Sequence, residues 1–182
     1  VGEVKLALTL IAHLKQAIPE HPLVLSTFTS TGLEVARQDN ACPSFLMPPD
    51  SAIFIHPLLD RLQPANLILI EAELWPGLLR ICHKRGVPIL LLNGRMSEGS
   101  LSHFKKMHPI FPWMAEGLHY FAMRTEADVR RIKKLGMSDC RVGITGNMKY
   151  DAVALPSTNG NESDTVIVFG STRPGDEEPI ID

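Results

Sequence analysis

Apolar residues recur at three- and four-residue steps along the start of the chain, at Leu6, Leu10, Leu14, Ala17 and Ile18, until Pro19 stops the run. That spacing predicts a helix over 5–18. A short β-rich run follows at 23–27, and Ser30 or Thr31 is placed to cap a helix ending at Arg37. The same reading predicts a strand over 43–49, a helix from a Ser51 cap to Leu62 that His56-Pro57 can interrupt, and a buried strand over 66–70. A helix over 74–85 closes at Gly86, and the cleanest strand of the chain spans 87–93. Beyond it lie an irregular helical stretch from Ser97 to Met114, broken near Pro109 and Pro112, a strand over 119–123, a helix from Thr125 ended by Gly136, and a strand over 141–145.

The strands show no polar alternation, and helices of roughly ten to fifteen residues separate them, the pattern of a parallel sheet covered on both faces. The expected class is α/β, a doubly wound parallel sheet. Residues 1–151 form the expected domain, and 152–164, with almost no apolar residue, read as a linker. A buried strand over 165–169 and the loop Gly170-Ser171-Thr172-Arg173-Pro174-Gly175 then look like the beginning of a second α/β domain. Because the chain opens at Val1 without methionine and stops soon after that loop, truncation at both ends is expected.

Composition narrows the function classes. Apolar residues at 45% and charged residues at 21% exclude a disordered or collagen-like chain. Eighteen Lys and Arg against twenty Asp and Glu give a net charge of −2, which argues against nucleic-acid binding by bulk positive charge. Cys42, Cys82 and Cys140 are far apart, so neither a disulfide framework nor a zinc site is suggested, and a reducing cytosol fits. No H-E-x-x-H and no paired histidine spacing occurs, so no metal is expected, and no G-x-S-x-G elbow is present.

Open parallel sheets bind ligands beyond the carboxyl ends of their strands, where loops enter helix N-termini. Glu3, beside Gly2 at the head of the first helix, is either a general base with room for a ligand or a first-turn carboxylate complementing the helix dipole. Glu71 and Glu73 follow an apolar strand and either hold hydroxyls or cap the helix behind Trp75-Pro76. Arg95 either pairs with a phosphate or carboxylate or snorkels over the core edge, and Ser97 is a plausible cap. Lys105 and Lys106, interleaved with Phe111 and Trp113, suit either an anionic membrane surface or a core-facing helix with solvated lysines.

Val1-Gly2-Glu3-Val4-Lys5, Glu71-Ala72-Glu73-Leu74-Trp75-Pro76, Asn93-Gly94-Arg95-Met96-Ser97, Gly146-Asn147-Met148-Lys149-Tyr150-Asp151 and the loop from Gly170 resemble, in order and spacing, the 3-deoxy-D-manno-octulosonic acid (Kdo) transferases of lipopolysaccharide synthesis. The resemblance spans nearly the whole chain, and it implies the N-terminal Rossmann-like domain of a GT-B glycosyltransferase. It further implies metal-free, inverting transfer of Kdo from CMP-Kdo to a lipid A precursor at the cytoplasmic face of the bacterial inner membrane, with no cofactor beyond that donor. Glu3 is then the implied catalytic base, and Gly2, Glu71, Glu73, Arg95 and Ser97 line the acceptor side. Asn147, Lys149, Ser171, Thr172 and Gly175 belong to the donor side, while Lys105, Lys106, Phe111 and Trp113 face the membrane. The family more often has Thr, Asn and Ala where Ala72, Gly77 and Gly94 stand here. Competing readings are another GT-B glycosyltransferase, a sugar-nucleotide epimerase of similar build, and a non-enzymatic α/β binding domain.

Overall fold

Helices and parallel strands alternate along the chain in a computed structural model that describes residues 2–71, 74–106, 111, 116–137 and 141–150. Val1, Ala72, Glu73, Trp113, Cys140, Ser171, Thr172, Gly175, the expected linker and the expected second-domain strand lie outside the described residues. Helix α1 (Gly2–Ala17) buries Val4, Ala7 and Ile11, a stripe at three- and four-residue steps, while Ile18 beyond its end is exposed. Strand β1 (Leu25–Thr27) leads into α2 (Ser30–Asp39), which packs on α1. The cap of α2 is Thr29 rather than Ser30 or Thr31: its hydroxyl accepts from the Gly32 N–H at 3.1 Å.

Strand β2 (Ser44–Leu46) pairs in parallel with β1, with Leu25 opposite Ser44. Helix α3 (Ala52–Leu62) runs unbroken through Pro57. The carbonyl deprived of a helical partner by Pro57 is that of Ile53, an exposed residue on the first turn, where the lost bond costs least. Ser51 stands at the N-cap of α3 without a side-chain cap bond.

Four further strands, β3 (Leu67–Ile70), β4 (Ile89–Gly94), β5 (Leu118–Met123) and β6 (Val142–Ile144), form a second parallel sheet in the order β3-β4-β5-β6. The Rossmann-like α/β architecture expected from the sequence is present, with its described strands divided between two sheets. Helices α4 (Pro76–Lys84), α5 (Glu98–Lys106) and α6 (Glu126–Lys133) follow β3, β4 and β5. Gly86 and Gly136 close α4 and α6 with φ of +69° and +94°, the left-handed conformation that only glycine adopts without cost. Phe121, Leu118 and Ile89 are fully buried at the centre of the core, and burial of each contributes about 1.5–3 kcal/mol.

Two contacts bring the carboxyl ends of both sheets to one edge. The Phe28 ring, just past β1, stacks on Trp75, just past β3, with centroids 4.5 Å apart. Asp50, in the loop after β2, accepts from the Gly77 and Leu78 N–H groups at 2.8 and 2.7 Å. Trp75 at the N-cap of α4 makes no side-chain cap bond, so the carboxylate of a distant loop caps this helix. A Cβ on Gly77 would fall 2.6 Å from Asp50 Oδ1, so the bare backbone at this position makes room for that carboxylate.

Asp50→Ala is expected to lower stability by about 1–2 kcal/mol, as loss of an N-cap does, in a urea titration followed by circular dichroism. Cys82 is fully buried, and burial pushes its thiol from 9.0 up to about 11, against the lowering effect of Arg85. The folded state thus favours the neutral thiol. Stability from this group is complete below pH 9 and declines between pH 9 and 11, where the unfolded chain ionises and the folded one does not. In the native protein at pH 8, half-buried Cys42 is expected to react with a thiol reagent well before Cys82, as read by mass spectrometry of labelled peptides.

Candidate functional site

Three strands deliver the polar groups of the site at or just beyond their last residues. Glu71, directly after β3, has φ of +65°, and its N–H donates to the Leu92 carbonyl at 2.9 Å. Asn93, near the end of β4, has φ of +56° and is fully buried. Left-handed backbone is tolerated by asparagine and is uncommon for glutamate, so the level of the sheet at which β3 and β4 end carries local strain.

Arg124, the residue after β5, ties these ends together. Its N–H donates to the Gly94 carbonyl at 2.9 Å, its Nε donates to the Asn93 carbonyl at 3.1 Å, and its Nη2 donates to Glu71 Oε1. The turn after β6 closes over the same place. The Met148 N–H donates to Asn93 Oδ1 at 3.2 Å, the Lys149 N–H donates to Asn147 Oδ1 at 3.1 Å, and Lys149 Nζ lies 3.7 Å from Glu71 Oε1. Of the residues singled out from sequence, Glu71, Asn147 and Lys149 are therefore brought together. Glu71 does not cap α4, because Asp50 already does.

The loop that follows β4 is held from α6. Asp128, 5% exposed, accepts from the Met96 N–H at 2.8 Å and from Thr125 Oγ1 at 2.6 Å. Arg131 donates to the Met96 carbonyl at 3.2 Å and to Glu98 Oε1 at 2.7 Å, and this hydrogen bond holds the Glu98 carboxyl below its usual range. So anchored, the loop leaves Arg95 exposed on the rim of a small apolar pocket lined by Leu74, Met96, Phe104 and Phe121. Ser97 caps α5, its hydroxyl accepting from the Ser100 N–H at 3.0 Å. A Cβ on Gly94 would meet Met123 Sδ at 2.6 Å, so glycine here accommodates that thioether.

Gly2 and Glu3 stand elsewhere on the edge, exposed on the first turn of α1, and a Cβ on Gly2 would have no neighbour within 4 Å. Val4 anchors this turn: a Cβ on Gly32 would lie 3.2 Å from Val4 Cγ2 and 3.5 Å from Thr27 Cβ, which seats the start of α1 over the carboxyl end of β1. Lys105 and Lys106 are exposed at the end of α5. Phe111, expected to face a membrane, instead is 1% exposed, with its ring 4.8 Å from Phe104 in the core. An aromatic ring amid basic residues satisfies both patterns, and burial beside Phe104 removes it from any surface.

Sequence reasoning missed Arg124, Asp50 and Asp128. Asp128 had a local signal, since Thr125-Glu126-Ala127-Asp128 has the spacing of a capping pair. Asp50 and Arg124 act on residues 27 and 53 positions away in the chain, which no local pattern reveals. Among the described residues no three His, Cys, Asp or Glu side chains gather as a metal site would need, and no helix is long and apolar enough to cross a membrane.

A parallel α/β domain whose polar side chains gather where its strands end belongs to the Rossmann-like class that binds ligands along that edge. The model of the 3-deoxy-D-manno-octulosonic-acid transferase (kdotransferase) family matches residues 1–152, and the chain belongs to that family. It is 31% identical over 153 residues to a 3-deoxy-D-manno-octulosonic acid transferase of Haemophilus influenzae, covering 83% of this chain and 36% of that protein. It is 29% identical to a protein of the same name from Rickettsia bellii, covering 100% of this chain and 45% of the relative. A bifunctional glycosyltransferase/methyltransferase of Fusobacterium nucleatum is 30% identical, over 100% of this chain and 30% of that protein. The chain thus spans less than half the length of these relatives.

The Glu71–Arg124 pair, with side chains 22% and 12% exposed, is expected to show a coupling energy above about 1 kcal/mol in a double-mutant cycle of Glu71→Gln and Arg124→Gln. The exposed Glu126–Arg130 pair on α6, measured the same way, should give about 0.5 kcal/mol or less.

Proposed function

We propose that the complete protein is an inverting glycosyltransferase of GT-B build that moves Kdo from CMP-Kdo to a hydroxyl of a lipid A precursor. In this reading the described residues form the acceptor half, and the remaining length of the protein, which the relatives possess, supplies most of the donor half. The chain alone is then inactive. Glu3 takes the proton of the acceptor hydroxyl as its oxygen bonds to the anomeric carbon; the bond from that carbon to the CMP phosphate oxygen breaks, and CMP leaves with the electron pair. The observation that carries the reading is the exposed Glu3 on an anchored first turn over the carboxyl end of β1, with open space at Gly2, in a chain of this family.

Glu71, Glu73, Arg95 and Ser97 are proposed to line the acceptor, with Arg95 free to meet a phosphate. Asn147 and Lys149 are proposed to stand at the crossing to the donor half, where Ser171, Thr172 and Gly175 would continue the donor site. Lys105 and Lys106 are proposed to face anionic headgroups, placing the enzyme at the cytoplasmic surface of the inner membrane. No metal or cofactor takes part in the proposed reaction.

The test is mass spectrometry of the full-length protein with CMP-Kdo and a tetraacylated lipid A precursor. The wild type should add one or more Kdo units, and Glu3→Gln should lose at least about a hundredfold in rate with its circular dichroism unchanged. No mass gain by the wild type would refute the reaction; an active Glu3→Gln would remove Glu3 from the role of base.

A further inference from the structure

Asn93 carries an unmet demand. Its Oδ1 accepts from the Met148 N–H at 3.2 Å, and because a backbone N–H can only donate, this bond fixes which end of the amide is oxygen. The other end, Nδ2, is buried without a hydrogen-bond partner. Leaving such a donor unpaired costs about 1–3 kcal/mol, and native proteins rarely keep one without use.

The surrounding charges say what would pair with it. Among the described residues, one carboxylate, Glu71, faces two cations, Arg124 and Lys149, an excess of one positive charge. Arg124 is fixed against the Asn93 carbonyl. Lys149 is held loosely: its Nζ is 3.7 Å from Glu71, beyond hydrogen-bond reach, and its side chain is 53% exposed. An unspent neutral donor beside a fixed guanidinium and a swinging ammonium suits an oxyanion, which accepts only, and does not suit a metal cation.

We propose that Asn93 Nδ2, Arg124 and Lys149 form an oxyanion subsite at the carboxyl ends of β4, β5 and β6, taking a carboxylate or phosphate of the bound substrate. The proposal rests on the reading of this edge as a substrate site. Lys149 exchanges Glu71 for the ligand, and since the Met148 N–H is bonded to Oδ1 of the same buried amide, the 147–149 turn shifts as the oxyanion enters. The chain leaving β6 is in this way drawn toward the ligand.

The experiment is a set of titrations of the ¹⁵N-labelled chain with inorganic phosphate, CMP and pyruvate, following the Asn93 side-chain NH₂ pair and the Met148 and Lys149 amides. Saturable shifts of these signals are expected. Saturation by phosphate and CMP marks a phosphate subsite, and saturation by pyruvate alone marks a carboxylate subsite. Arg124→Gln should weaken the apparent affinity about tenfold, the loss of one charge-assisted bond. Lys149→Gln, at an exposed position, gives a second variant whose folding is not at stake. It should weaken affinity about threefold or more. Shifts confined to Arg95 and Ser97, or no saturation by any probe, would overturn the subsite. Kdo transfer by the full-length protein without these shifts removes the subsite alone, whereas these shifts in a protein that transfers no Kdo remove the enzymatic reading and leave the subsite standing.

Discussion

One guanidinium holds the ends of three parallel strands. Parallel strands all finish at the same edge, where their last peptide groups run out of ladder partners, and the protein must satisfy those groups from loops and side chains. Arg124 does so for β3, β4 and β5 together, through Glu71, the Asn93 carbonyl and its own N–H on Gly94. The left-handed residues Glu71 and Asn93 are what turn the chain out of β3 and β4 at the level this side chain can reach. Without it Glu71 would be a partly buried carboxylate with, among the described residues, Lys149 at 3.7 Å as its remaining cation.

The same economy decides where an anion can be met. In many parallel α/β proteins the free amides of a helix N-terminus do that work, but here Asp50 already occupies those of α4 and the Ser97 hydroxyl takes one from α5. In the proposed reading, recognition of negative charge at this edge therefore falls to side chains: Arg95 on its anchored loop, Arg124 across the strand ends, and Lys149 beside Glu71.

Much of the fold was legible because its signals are local. Gly86 and Gly136 were readable as helix ends since a positive φ is a property of one residue, and the apolar runs at β3, β4 and β5 were readable since a strand buried on both faces has no polar alternation. Three successive hydroxyl residues, Thr29, Ser30 and Thr31, all suit a cap, and only the backbone turn at Thr29 chooses among them. Of the site, Glu71 was legible from its place after a strand, and Asn147 and Lys149 only through the family resemblance, while the grouping around Arg124 was not, because an arginine after a strand looks the same whether it meets solvent or a carboxylate 53 residues away. Phe111 shows the complementary failure: amphipathic spacing says that a ring will be covered, and not whether protein or lipid covers it.

Gly94 and Met123 share a space that admits either a methyl group on one or a thioether on the other. The contact is lopsided: a methyl group at 94 would require the Met123 thioether to swing away, so the rotamer of one strand's last side chain depends on the bareness of its neighbour's last residue.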